Sequence, residues 1–292
     1  GFKPTALGAY TVKLVVTDGP YVMEKTKAAL FAVQNYACDF TVEKAEGLAG
    51  STFHFTSTVE GVSEGITYLW TFKNELTDTT ETSDEANPDY APTEVGQLTV
   101  TLEVTSALGK VSKAKDNFIT VQGAICYVDP DNENPTYPYD TMAKAARDFA
   151  TAYAACGSGG EIVFAEKTIE FPETLVVDKG VTVRGNGARE NTTLKITSKK
   201  IPVIQVSHAD AVLKNVTITG SDVGYLEKGG LKLANGLVTN VVISGNVANG
   251  TYAGPAGVNM TGGRLTGSLI TDNKGGHSAA GVIDVNASNL AD

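Results

Sequence analysis

The stretch HADAVLKNVTITGS at residues 208–221 decides the fold of the second half of the chain, because it recurs twice. ANGLVTNVVISGN follows at 234–246, and GGRLTGSLITDN at 262–273. Asn215 and Asn240 occupy equivalent positions in the first two copies, and Asn246 and Asn273 do so in the last two. A nearly constant period of this kind indicates stacked repeats of one supersecondary unit.

A second strand recurs with nearly the same period, at positions 175, 204, 231, 258 and 283. One coil of a parallel β-helix takes a repeat of this length, and each coil buries its apolar face only by stacking on its neighbours. We therefore predict coils over residues 161–292, with a ladder of amides at Asn215 and Asn240. Because successive side chains of a strand point to opposite faces, the two apolar residues of each recurring strand should both point inward. These pairs are Leu175 and Val177, Ile204 and Val206, Leu231 and Leu233, Val258 and Met260, and Ile283 and Val285.

Residues 123–160 precede the coils and contain the only convincing helical pattern. We predict a helix over 141–156 that covers the open end of the coils, because exposed strand edges need protection. Asp140 is a suitable N-cap, and Gly157 a suitable stop. The residues at helical spacing on one face, expected to pack, are Met142, Ala146, Phe149 and Tyr153.

A second internal repeat lies at the other end of the chain. GAYTVKLVVTDG at 8–19 matches GQLTVTLEVTSA at 96–107, and the same offset holds onward to Gln34 and Gln122. We expect residues 1–37 to be the C-terminal part of a β-sandwich whose first half is not in this chain. On this interpretation the missing half lies upstream in a larger protein, with further domains on both sides of this chain, or it is supplied by a neighbour.

Residues 38–122 consist of short alternating strands separated by turn residues, such as STFHFTSTV and TYLWTF. About seven strands in this length predict a complete immunoglobulin-like sandwich. Trp70 should be buried in its core, whereas His54 should point to the surface. The fold class is therefore all-β, with sandwiches, a parallel β-helix and one capping helix.

The charge distribution excludes some partners. The net charge is −10, and no basic stripe is present, which argues against nucleic acid as a partner. No run of about 18 apolar residues occurs, so we expect no membrane span.

The segment YLWTF, followed by an Asn-Pro turn and the strand from Gly96, resembles a PKD-type domain. The matching positions are Tyr68, Trp70, Phe72, Asn87, Pro88, Gly96, Val100, Leu102 and Val104. The sequence departs from the family pattern at two places. Lys73-Asn74-Glu75 replace a Gly-Asp-Gly turn, and Leu98 replaces an aromatic residue, which the first copy of the repeat retains as Tyr10. The resemblance implies an extracellular spacer without catalysis.

Residues 125–292 resemble the right-handed β-helix, pectin lyase-like family, through YVDP, YPYDTMAKAARDFATAYAAC and VTVRGNG. Family members that cleave polysaccharides carry clustered charged residues on an outer groove, often with calcium. No such motif carries over, so we predict no catalytic, cofactor-binding or metal-binding residues. Lys214 aligns with Thr239 and Thr266, and Arg184 lies in a turn where its guanidinium should bond backbone carbonyls. The charged residues scattered singly are Asp210, Asp222, Lys228, Lys232 and Arg264. The oxygen-rich loop Asp129–Glu133 is either a calcium site or a plain polar loop.

Three cysteines leave two alternatives open. Cys126 and Cys156 would lie close together if the helix ran back along the preceding strand, and a disulfide between them would suit an extracellular chain. Alternatively, all three cysteines, including Cys38, are unpaired small apolar residues.

These patterns favour a non-catalytic segment of a large extracellular or cell-surface bacterial protein. Sandwich spacers would present a β-helix that offers a long face to polysaccharides or cell-surface glycans, as in an adhesin. The first alternative is a polysaccharide lyase or glycoside hydrolase whose catalytic coils lie beyond Asp292. The second alternative is a phage-type spike.

Overall fold

The computed structural model describes residues 4, 8–33, 35–198, 201–223, 229–249, 255–275 and 283–285. The chain forms two compact units. The first contains residues 1–45, 52–92 and 96–120, and the second contains residues 46–51, 93–95 and 121–292. Among the described helices, none has the length and apolar character needed to cross a membrane.

The first unit begins with a two-stranded antiparallel hairpin. Its strands are β1 (Gly8–Asp18) and β2 (Tyr21–Val33), and a bulge interrupts their register between Tyr10 and Val12. The rings of Tyr10 and Phe31 stack with centroids 5.1 Å apart. Most apolar side chains of this hairpin are exposed, including Leu14 at 61%.

The rest of the first unit is a β-sandwich. One sheet has the order β3-β5-β8, and the other has the order β7-β6-β9-β10. The strand bounds are β3 Ala37–Val42, β4 Glu46–Leu48, β5 Phe53–Glu60, β6 Thr67–Asn74, β7 Thr80–Ser83, β8 Asp89–Tyr90, β9 Gly96–Ser106 and β10 Gly109–Val128. Strand β4 and the last residues of β10 belong to the second unit.

Aromatic residues fill the sandwich core. Trp70 is completely buried, as predicted, and its ring lies 5.1 Å from that of Phe40 and 5.5 Å from that of Phe55. The indole Nε1 of Trp70 donates to the carbonyl of Glu85 at 2.9 Å, which satisfies its one polar group. His54 points out from the strand, as predicted, and hydrogen-bonds Asp89.

The second unit is a solenoid of parallel strands, with about three turns in residues 168–271. The first sheet starts with residues 123–128 of β10, which pair with β11 (Cys156–Phe164). The first sheet continues with Thr182–Gly185, Val212–Lys214, Leu237–Thr239 and Arg264–Thr266. The second contains Thr168–Phe171, Thr193–Ile196, Thr217–Thr219, Val242–Ser244 and Leu269–Thr271. The third contains Leu175–Val177, Ile204–Val206, Leu231–Leu233, Val258–Met260 and Ile283–Val285, and a short pair joins Asp222–Val223 to Val247–Ala248.

The predicted inward pairs line the interior of the solenoid. Leu231, Leu233 and Val258 are completely buried, and Met260 is partly buried against the same core. Ile283 and Val285 pair in register with Val258 and Met260, but their side chains lie outside the described part of the structure. Each coil therefore obtains its core from the neighbouring coils.

Asparagines stack at two turns, which confirms the predicted ladder. Asn215 and Asn240 both adopt the left-handed backbone conformation, with φ of 58° and 49°. The Nδ2 of Asn240 donates to the Oδ1 of Asn215 at 2.9 Å. Asn246 is completely buried, and its Nδ2 donates to the Oδ1 of Asn273 at 3.0 Å. Asn tolerates left-handed turns, and stacking satisfies its buried amide.

The prediction of a helix over 141–156 is wrong in extent. Met142–Lys144 form a 3₁₀ turn, and α1 spans only Phe149–Ala155, with Asp148 rather than Asp140 as its N-cap. The reason is that Ala146 pairs with Val128 as a β-bridge. The N–H of Ala146 donates to the carbonyl of Tyr127 at 2.9 Å, so it cannot donate to a helical carbonyl.

The structure contains three free cysteines and thus favours the second alternative. Cys156 is the first residue of β11 rather than the last residue of the helix. The buried thiol of Cys126 lies 3.6 Å from the carbonyl oxygen of Pro138, and that of Cys156 lies 3.5 Å from the carbonyl oxygen of Glu161. Interaction with the Cys156 thiol, together with burial, raises the pKa of Cys126, so it stays a protonated thiol at neutral pH.

Candidate functional site

A groove of about 580 Å³ opens at the cap of the solenoid. Helix α1 forms one wall through Phe149 and Tyr153, which lie one helical turn apart and therefore on one face of the helix. Phe164, Phe171 and Leu175 also line the groove. We call these residues, with the acidic residues described next, the cap groove.

Carboxylates surround the apolar walls of the cap groove. Asp148, Glu170, Glu173 and Asp178 line it, against a single cation at Arg147. Asp148 caps α1, with its Oδ1 2.8 Å from the N–H of Thr151, and Glu170 pairs with Lys195 at 2.6 Å. The rim therefore carries an excess of negative charge.

Tyr153 connects the apolar wall to the acidic rim. Its hydroxyl donates to Asp178 Oδ1 at 2.6 Å and accepts from the backbone N–H of Asp178 at 2.9 Å. Burial, followed by the bond to Asp178, raises the pKa of Tyr153 to about 12. The phenol is therefore a fixed, protonated group in the wall.

Lys179 contacts both the ring and the backbone of the same tyrosine. Its Nζ lies 4.4 Å from the centre of the Tyr153 ring, and it donates to the carbonyls of Tyr153 and Cys156 at 2.5 Å each. These carbonyls lie at the end of α1, where a cation is favourable. Lys179 thus holds the helix that forms one wall of the cap groove.

A second charged group lies on the outer face of the first sheet. Arg184 and Lys214 are register partners on neighbouring strands, and both contact Glu161. The Arg184 Nε lies 2.8 Å from Glu161 Oε2, and the Lys214 Nζ lies 3.7 Å from Oε1. Residues that stand singly in the sequence are brought together by stacking, and the two cations neutralise the carboxylate between them.

The loop Asp129–Glu133 holds an ammonium group. Lys167 Nζ lies 2.5 Å from Asp129 Oδ1 and 2.9 Å from Asp131 Oδ2. Within the described ranges, no group of three or more His, Cys, Asp or Glu side chains is placed to hold a metal ion. Calcium binding here stays a prediction, and the ion would have to displace Lys167.

The fold and the site define a class of protein: an immunoglobulin-like sandwich joined to a parallel β-solenoid with a grooved cap. Residues 39–117 match the model of the PKD domain family, which confirms the resemblance seen in the strands around Trp70. No curated protein and no solved structure matches the chain.

Proposed function

We propose that this chain is a non-catalytic segment of an extracellular bacterial surface or adhesion protein, in which PKD-type spacers present a β-helix that binds a glycan. PKD domains occur in extracellular proteins, and their combination with a β-solenoid fits an adhesion-like module. The observation that carries the glycan part of this proposal is the cap groove, where aromatic rings stand beside carboxylates.

The size and chemistry of the cap groove suit a short oligosaccharide. A volume of about 580 Å³ falls in the usual range of small-molecule sites, about 300–1,000 Å³. Sugar rings have apolar C–H faces that pack on aromatic side chains, here Phe149, Tyr153 and Phe171. Their hydroxyls can donate to the ionised carboxylates of the rim, which only accept hydrogen bonds.

The charge of the rim selects among sugars. The four carboxylates outnumber the nearby cations Arg147, Lys179 and Lys195, so the rim repels uronic acids and favours neutral or amino sugars. Three of these carboxylates already have structural partners: Asp148 caps α1, Glu170 binds Lys195 and Asp178 binds Tyr153. Such engaged groups are better suited to holding a ligand than to transferring protons.

The test is calorimetric titration of the full chain with neutral, amino and uronic oligosaccharides. We expect binding of the first two classes, and a loss of at least tenfold in affinity for Phe171→Ala and for the exposed Glu173→Ala. Leu269→Ala, at an exposed position outside the cap groove, is the control and should bind normally. Absence of binding to all three classes, or equal binding by all variants, would refute the proposal.

A polysaccharide lyase or hydrolase is the second candidate function. It is favoured by the adjacent cations Arg184 and Lys214 on the outer face, which exceed their shared partner Glu161 by one positive charge and could bind a polysaccharide carboxylate. Release of unsaturated, ultraviolet-absorbing products from pectin, alginate or chondroitin by the purified chain would establish this function in place of the first.

A further inference from the structure

The hairpin β1–β2 and residues 96–122 of the sandwich share a backbone as well as a sequence pattern. Ala29 and Asn117, which are equivalent in the repeat, both adopt the left-handed conformation, with φ of 49° and 48°. Gly8 and Gly96, at the same offset, also have positive φ, at 131° and 150°. The two hairpins therefore share positive φ at two equivalent positions, whereas their turns differ, with positive φ at Gly19 in the first and at Gly109 in the second.

Equivalent side chains differ completely in burial. In the sandwich, Val100, Leu102 and Val104 are 0% exposed. Their equivalents in the first hairpin, Val12, Leu14 and Val16, are 41%, 61% and 46% exposed. We call the surface formed by Val12, Leu14, Val16, Met23 and Lys27 the open face; Val16 pairs with Met23, and Val12 with Lys27, across the two strands.

Lys27, at the edge of the open face, has an equivalent in the sandwich whose contacts are described. Lys115 is the equivalent of Lys27, and its Nζ lies 4.5 Å above the centre of the Phe40 ring. The same Nζ donates to the Phe40 carbonyl at 2.5 Å and lies 3.0 Å from Asp39 Oδ1. Lys27 presents the same group beside the open face, so a matching partner would offer an acid followed by an aromatic residue.

We propose that the open face is an interaction surface for the aromatic half of a PKD-type sandwich, a segment with the strands and core residues of residues 37–95. The sandwich of this chain is the template. There an equivalent hairpin is covered by the other sheet, whose strands carry Phe40 and Phe55, and is paired in its own sheet with the strand of Trp70. All three aromatic side chains are at most 2% exposed. An uncovered apolar face of this extent is a site for association.

The proposal also predicts how the two parts connect. Because Gly8 is equivalent to Gly96, a copy of residues 37–95 placed directly before Gly8 should fold onto the open face without a linker. The inference is independent of glycan binding, which concerns the second unit.

The experiment compares the full chain with the same chain extended by this copy. We expect amide hydrogen exchange in residues 8–33 to slow at least tenfold in the extended chain, and the additional Trp to become buried. Leu14→Ala should reverse much of this protection in the extended chain and change nothing in the parent.

Three results would overturn the proposal. The first is unchanged exchange in residues 8–33 beside a folded copy. The second is a copy that stays unfolded, since residues 37–95 fold in this chain against an equivalent hairpin. The third is a parent chain that sediments as a dimer with residues 8–33 already protected, because the occupant would then be a second copy of this chain.

Discussion

Residues 8–33 and residues 96–122 form hairpins of one pattern, and they differ in what covers them. Both have alternating strands with positive φ at two equivalent positions, but Leu14 is 61% exposed and Leu102 is completely buried. Local sequence therefore sets the strands and turns, while the hydrophobic stabilisation comes from other parts of the fold. An isolated two-stranded hairpin is marginal in water, whereas a covered one shares the stability of its domain.

The largest expected effect comes from placing a charge at equivalent positions. Leu102→Asp buries an unpaired carboxylate in the sandwich core and should cost about 4 kcal/mol or more. Leu14→Asp leaves its carboxylate in water and should change the stability of the sandwich by less than about 0.5 kcal/mol.

Fluorescence measures this pair cleanly, because Trp70 is the one Trp in the chain and lies in the sandwich core. Denaturant unfolding followed by Trp emission therefore reports on the sandwich. Equal losses of stability in the two variants would show that the hairpins share one environment.

The solenoid extends the comparison to a region where every coil covers its neighbour. Leu233→Ala removes a completely buried side chain between stacked coils and should cost about 2–5 kcal/mol. Val176→Ala, at an exposed position on the same sheet, should cost less than about 0.5 kcal/mol. Circular dichroism melting of both variants checks this, and a Leu233→Ala variant that melts like the parent would contradict the inward assignment.

The smallest expected loss of stability comes from substituting the two equivalent lysines, Lys115 and Lys27. Lys115→Met removes the cation above Phe40 and the ion pair with Asp39, and should cost about 0.5–2 kcal/mol. Lys27→Met should leave the Trp-monitored stability unchanged. A loss at Lys27 as large as that at Lys115 would mean that the first hairpin already has a partner.

Periodic features of this fold were predictable from the sequence. The coils follow from the nearly constant spacing of the repeated strands, and the inward side chains follow from alternation within each strand. Trp70 and the ladder at Asn215 and Asn240 were also predicted, because each depends on a local pattern that repeats or matches a family.

Contacts between distant residues were not predictable. The predicted start of the helix was too early because Ala146 pairs with Val128 in the strand before the loop. Helical periodicity describes only neighbouring residues, so it could not predict this pairing. Lys167 contacts Asp129 across 38 residues, and Lys179 contacts Tyr153 across 26. Phe149 and Tyr153 were predicted to pack, and they do, but the sequence did not show that they also line the cap groove.

Hydrogen exchange on the parent chain compares the two hairpins in one sample. We predict that amides of residues 96–122 exchange only as the sandwich unfolds, while those of residues 8–33 exchange at least a hundredfold faster. Equal protection of the two hairpins would contradict this prediction, because identical patterns would then be equally stable without a difference in cover.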